Sequence, residues 1–206
     1  RPKGAIHGGQ AVMPSVPLWA VAIGASTGGP NALVDLLPRF PSELPASILI
    51  VQHIHPKFIS ILTRRLVQVS PLSVKEAVHD EVMRSGFVYI AVGDHHMEVE
   101  RKGVGIAIRL HKKPPLHGVR PSADLLFSSV SEAFAERAIA VILTGMGQDG
   151  LAGARMVKNR GGTVLAEARE SCVIYGMPRA VVEAGLADRV VPLKEIPQEI
   201  LKVIRG

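Results

Sequence analysis

The chain has 206 residues, 47% of them hydrophobic and 20% charged, and a formal net charge of +6. That length fits one large domain, and that composition excludes an intrinsically disordered chain. No apolar run approaches the roughly 18 residues of a membrane helix. Aromatic residues, at 4%, are too few for a base-stacking nucleic-acid surface.

A single cysteine, Cys172, excludes an intramolecular disulfide and any multi-cysteine zinc site. It favours a reducing compartment and reads as a small buried residue. The densest basic piece is Arg109-Leu-His-Lys-Lys113, and no run of five Lys or Arg occurs. The basic balance therefore reads as a solvated surface, or one matched to an acidic partner, with no case for nucleic acid.

Residues 1–17 are rich in Gly and Pro and lack periodicity, and they read as an interdomain linker. Leu18–Ile23 is predicted as a buried strand, followed by the glycine-rich turn Gly24–Gly29. Pro30–Leu37 follows as a helix with proline in its first turn. Ser47–Gln52 is a second buried strand, and Lys57–Gln68 shows helical spacing. Val74–Val78 and Phe87–Val92 are short strands. Met97–Glu100 and Val104–Leu110 alternate around Arg101-Lys102-Gly103 and predict a hairpin. Pro121–Ala135 is a helix capped by Ser122, and Ala138–Leu143 is a third buried strand. A loop at Thr144–Gly150 leads to a helix at Leu151–Lys158, ended by Gly161-Gly162. Thr163–Ala166, a helix near Arg179–Ala184, a strand at Arg189–Val191 and a helix at Glu195–Ile204 complete the chain.

Repeated strand–loop–helix units predict an α/β fold. Its sheet is doubly wound, mostly parallel and Rossmann-like, with helices on both faces and a β-hairpin. In such folds a site forms beyond the carboxyl ends of the strands. Three predicted strand ends carry reactive groups.

The first is Gly24-Ala25-Ser26-Thr27-Gly28, a G-x-S-x-G pattern that can expose a serine before a helix N-terminus. A plain turn or a phosphate cradle uses similar glycines. The second is Gln52-His53, which places a base, or a capping histidine, straight after an apolar run. The third is Thr144-Gly-Met-Gly-Gln-Asp149-Gly150, which places an acid where the next helix begins. An N-cap aspartate would look the same, and the two roles are compatible. Together the three ends offer Ser, His and Asp to one edge. Such a set is recognised by geometry and not by chain order. His53-x-His55 and Asp94-His95-His96 lack a third ligand at convincing metal spacing. Tyr175-Gly-Met-Pro178 is a turn before a helix or a wall of the site.

These motifs carry a resemblance. Ile23-Gly-Ala-Ser-Thr-Gly-Gly-Pro30, Gln52-His53 with Pro56-x-Phe58 and Arg65-Leu66, and Tyr89-Ile-Ala91 belong to it. So do Arg120-Pro-Ser-Ala-Asp-Leu-Leu-Phe127, Leu143-Thr-Gly-Met-Gly-Gln-Asp-Gly150 and Tyr175-Gly-Met-Pro178. In these the sequence resembles the catalytic domain of the chemotaxis protein-glutamate methylesterases, the CheB family. The resemblance covers residues 18–206 and implies a serine esterase with a Rossmann-like domain. It implies Ser26 as nucleophile, His53 as general base and Asp149 as the acid orienting the histidine. Thr27, Gly28 and Met146 would stand near the oxyanion.

The implied substrates are glutamyl methyl esters, and some glutamines, on the cytoplasmic helices of methyl-accepting chemoreceptors. No metal or organic cofactor is implied. A cytoplasmic location and a receiver domain upstream of the linker are expected, with no membrane insertion. The sequence departs from the family at Glu167-Ala-Arg-Glu170, where an acidic Gln-Asp-Glu stretch is common, and at His55 and Asp94. Those departures leave two rivals open: an esterase of the same fold in another signalling system, and a regulatory module without turnover.

Overall fold

A computed structural model describes residues 17–206. The linker expected over residues 1–17 lies outside the described residues, except for Pro17. Strand β1 (Trp19–Ala25) is followed by helix α1 (Gly29–Leu36), β2 (Ala46–Gln52), α2 (Ile59–Val69), β3 (Ser73–Glu76) and β4 (Phe87–Ile90). Next come β5 (His96–Lys102), β6 (Gly105–His111), α3 (Ala123–Phe134), β7 (Ala138–Ile142), α4 (Leu151–Asn159) and β8 (Thr163–Glu167). Helix α5 (Met177–Glu183), β9 (Arg189–Val191) and α6 (Ile196–Arg205) end the chain.

Seven strands form one parallel sheet in the order β3-β4-β2-β1-β7-β8-β9. The antiparallel hairpin β5–β6 stands apart as its own sheet. The predicted α/β architecture, hairpin included, is the observed one.

Central strands are apolar on both faces because helices cover both. Along β1, Ala20 and Ala22 pack with α3, α4, α5 and the hairpin, whereas Val21, Ile23 and Ala25 pack with α1, α2 and α6. Successive side chains on a strand alternate between faces, so one strand feeds two cores. Helix α2 buries Ile59, Leu62 and Leu66, the spacing of a single helical stripe. Proline in the first turn of α1 and α5 removes an N–H that a helix start cannot use internally.

Three local expectations need correction. Strand β1 begins at Trp19 and runs to Ala25, leaving Leu18 58% exposed. Ser122 does occupy the N-cap of α3 but makes no side-chain cap bond there. Cys172 is partly exposed, not buried. Burial, reinforced by the Glu167 carboxylate beside it, still pushes its thiol up to about 12. No helix among the described residues is long and apolar enough to cross a membrane.

Candidate active site

Strand order reverses between β1 and β7: the chain leaves β1 toward β2 on one side, and β7 leads to β8 on the other. Loops leaving such a switch point diverge and open a crevice at the carboxyl ends. In the β1–β2 register Ala25 pairs with Gln52, so the next residues, Ser26 and His53, leave the sheet side by side. The His53 N–H donates to the Ala25 carbonyl at 2.9 Å.

The turn after β1 is held by the main chain. Ser26 N–H donates to the Thr144 carbonyl at 3.0 Å, and the Ser26 carbonyl accepts from Gly29 N–H at 2.9 Å. Gly28, the N-cap of α1, has φ 87°, a conformation that side chains disfavour, and a Cβ there would lie 2.7 Å from Val173. The Ser26 hydroxyl makes no hydrogen bond among the described residues. Nor do the N–H groups of Thr27, Gly28 and Met146. Thr27 is exposed, Gly28 is half-buried and the Met146 side chain is 73% exposed.

His53 and Asp149 meet directly, with Nε2 2.8 Å from Oδ2. Their side chains are 12% and 5% exposed. Asp149 accepts three more bonds, from Ser122 Oγ at 2.7 Å, Ala123 N–H at 2.6 Å and Asp124 N–H at 3.1 Å. Burial alone would raise this carboxyl. The bonds from His53, Ala123, Ser122 and Asp124 outweigh it and hold the group below the ordinary carboxylate value. Asp149 is therefore a capping aspartate, but it caps α3 across the loop and not α4, whose N-cap is Gly150. With Nε2 on Asp149, the other ring nitrogen, Nδ1, is the one left to exchange a proton.

Several supporting residues were not legible as such. The Gln52 side-chain N–H group donates to the carbonyls of Ser26, at 2.8 Å, and His53, at 3.0 Å. One amide thus ties both strand ends together. A polar residue closing the apolar run Ser-Ile-Leu-Ile-Val is its only sequence signal. Thr144 Oγ1 donates to the Thr27 carbonyl at 2.9 Å and accepts from Val173 and Ile174 N–H groups at 3.0 Å each. Its own N–H donates to the buried Glu167 carboxylate at 2.7 Å. Gly145 sits so close that a Cβ would lie 2.5 Å from Met177 Sδ and 2.7 Å from Ser26 Cβ.

The other titratable clusters have partners elsewhere. His55 accepts from Lys57 N–H, Asp94 pairs with Arg120 and Lys112, and Arg109 pairs with Glu98 and Glu100. Tyr175 immediately precedes Gly176 and α5, as the turn expected there. With Met146, Arg179 and His117 it also lines a groove of about 800 Å³ whose lining does not include Ser26, His53 or Asp149.

The CheB methylesterase description among protein families matches residues 21–200. The chain is 45% identical over 194 residues to the protein-glutamate methylesterase/protein-glutamine glutaminase of Pyrococcus abyssi, covering 94% of this chain and 53% of that protein. It is 44% identical over 191 residues to the Thermotoga maritima protein of the same name, covering 93% and 56%. The crystal structure of the Thermotoga maritima CheB methylesterase catalytic domain superimposes with a TM-score of 0.88 at 44% identity, over 90% of this chain and 98% of that one. The chain spans about half the length of the curated relatives it matches.

Proposed function

The chain belongs to the CheB methylesterase family, and from that premise we propose that residues 18–206 form a catalytic domain hydrolysing glutamyl methyl esters on chemoreceptor helices. The same site would deamidate receptor glutamines, as the paired name of its relatives implies. The observation that carries this reading is the 2.8 Å contact of His53 with Asp149 beside a turn that leaves the Ser26 hydroxyl unpaired among the described residues.

Ser26 Oγ attacks the side-chain carbonyl carbon while His53 Nδ1 takes its proton. Asp149, bonded to Nε2, keeps the ring oriented and stabilises the imidazolium that forms. The oxyanion is met by the N–H groups of Thr27 and Gly28, before α1, and of Met146, in the loop after β7, which are unpaired among the described residues. The imidazolium returns its proton to the leaving oxygen, methanol departs, and an acyl-enzyme remains on Ser26. For a glutamine the leaving group is ammonia. Water, deprotonated by the same histidine, then releases the glutamate side chain and restores the serine. This chemistry needs no metal or organic cofactor. The enzyme works in the cytoplasm, where receptor signalling helices lie, and a receiver domain upstream would regulate it.

The test is methanol release from membranes bearing methylated receptors. The chain should release methanol, and a His53→Gln variant with an unchanged melting curve should lose turnover by orders of magnitude. Near-normal turnover in that variant would remove the histidine from the mechanism. Hydrolysis of small esters with none of receptors would assign a different acyl substrate.

A further inference from the structure

We propose that Asp124 is a positioning residue for the reaction: it exchanges helix caps with Asp149 and so fixes the acid that orients His53. The inference rests on the Ser26–His53–Asp149 reading above.

Neither α3 nor α4 is capped by the side chain of its own N-cap residue, Ser122 or Gly150. The four leading N–H groups of a helix lack internal partners, and burial makes that costly. Two carboxylates cross over to supply them. Asp149, just before α4, accepts from Ala123 and Asp124 N–H at the start of α3. Asp124, in the first turn of α3, accepts on Oδ1 from Gly150 N–H at 2.9 Å and Gly153 N–H at 2.7 Å.

The exchange is mutual. Asp124 grips the backbone N–H that follows Asp149, and Asp149 grips the N–H of Asp124 itself. The carboxylate facing His53 is thereby clamped through its own chain as well as through its oxygens. Gly153 permits the close approach, since a Cβ there would lie 2.8 Å from the Asp124 carbonyl.

A neutral cap would serve α4 without burying a charge. Asp124 is only 4% exposed, and burial, with the Asp149 charge adding to it, raises its carboxyl. Its second oxygen lies 3.3 Å from Nε2 of His117, a left-handed residue (φ 52°) lining the groove. The titratable groups facing Asp124 are thus His117 from the loop before α3 and Asp149 from the loop before α4, with His53 beyond Asp149.

The experiment compares Asp124→Ala and Asp124→Asn, alone and with Asp149→Asn, by methanol release and thermal melting. Asp124→Ala should lower kcat by about 10- to 100-fold with little change in KM, the cost of a slightly misplaced orienting group. Asp124→Asn keeps an acceptor for Gly150 and Gly153 and should recover most of kcat. It also removes a negative charge near the His53–Asp149 pair, so the acid limb of its kcat/KM profile should move to lower pH. With Asp149→Asn already present, Asp124→Ala should cost little further activity.

An Asp124→Ala kcat within about twofold of the parent would overturn the proposal. Losses that multiply in full in the double variant would also overturn it. Should Asp124→Ala not fold, Asp124→Glu decides: it keeps the charge but displaces the oxygen that Gly150 and Gly153 hold, and a kcat within about twofold of the parent overturns the proposal. Full activity in Asp149→Asn alone would instead refute the catalytic reading beneath it.

Discussion

Between β1 and α1 the chain turns through Ser26, Thr27 and Gly28 on main-chain bonds, and among the described residues the serine hydroxyl is unpaired. Between β7 and α4 it turns through a second glycine-rich loop, where the Asp149 carboxylate accepts four hydrogen bonds. Both loops leave the same sheet edge and both carry a residue of the proposed triad. A group that must form a new bond is left free, while a group that must only orient its neighbour is saturated. The difference predicts that the first residue matters to rate alone and the second to rate and stability together.

The largest effects would break that contrast outright. Ser26→Ala should lower turnover by about 10⁴-fold or more and leave the melting temperature nearly unchanged. Asp149→Asn should cost turnover on a similar scale and also melt about 2–8 °C lower, because α3 loses charge-assisted caps. Equal melting temperatures for the two variants, measured by calorimetry, would show that the carboxylate contributes nothing to the fold.

Acid titration sharpens the same point. A carboxyl held below its ordinary value of 3.8 contributes stability that is fully present above that value. The contribution is lost as pH falls through the lower folded value. The stability gap between the parent and Asp149→Asn should therefore be wide at about pH 6 and narrower at about pH 3 in urea unfolding. A gap that widened on acidification would reverse the assigned sign.

The smallest effect concerns Glu167, which burial pushes above the ordinary carboxylate range against bonds from Thr144 and Ser171. A raised carboxyl weakens the fold at neutral pH and is relieved as pH falls through its folded value. Glu167→Gln should thus gain a little stability near neutrality. An amide oxygen can still accept from Thr144, and Ser171 can turn to the Ala168 carbonyl 3.2 Å away. The gain should shrink on acidification. A loss of stability in the denaturant midpoint would show that the charge itself holds the loop after β7.

What sequence reveals here divides by distance along the chain. Strands β2 and β7 are legible within a residue, because a buried strand is a run of apolar residues between breakers. Ser26, His53 and Asp149 were legible for a topological reason: each follows such a run, and parallel strands deliver their ends to one edge. The caps were not legible. Ser122 faces a carboxylate 27 residues away, and the helix served by Asp149 precedes it in sequence. Local patterns such as Ser before a helix describe bonds within a few residues, and here the partners come from packing α3 against α4. The bracing role of Gln52 is hidden for the same reason, since its amide reaches a carbonyl 26 residues back.

The crossed caps also bear on the order in which the molecule can assemble. The bonds joining Asp149 to Ser122, Ala123 and Asp124 span 25 to 27 residues within one helix–strand–helix segment. The bonds that tie the serine turn to Thr144 reach much farther, 117 residues for that from Thr144 to Thr27, and His53 lies 96 residues from Asp149. Closing a long loop costs more chain entropy than closing a short one, and slow folding follows from distant contacts. The seat of the proposed acid is therefore a local acquisition of the second half of the chain, whereas the proposed nucleophile and base reach it only when the first half docks. Catalytic competence is then among the last properties that folding confers.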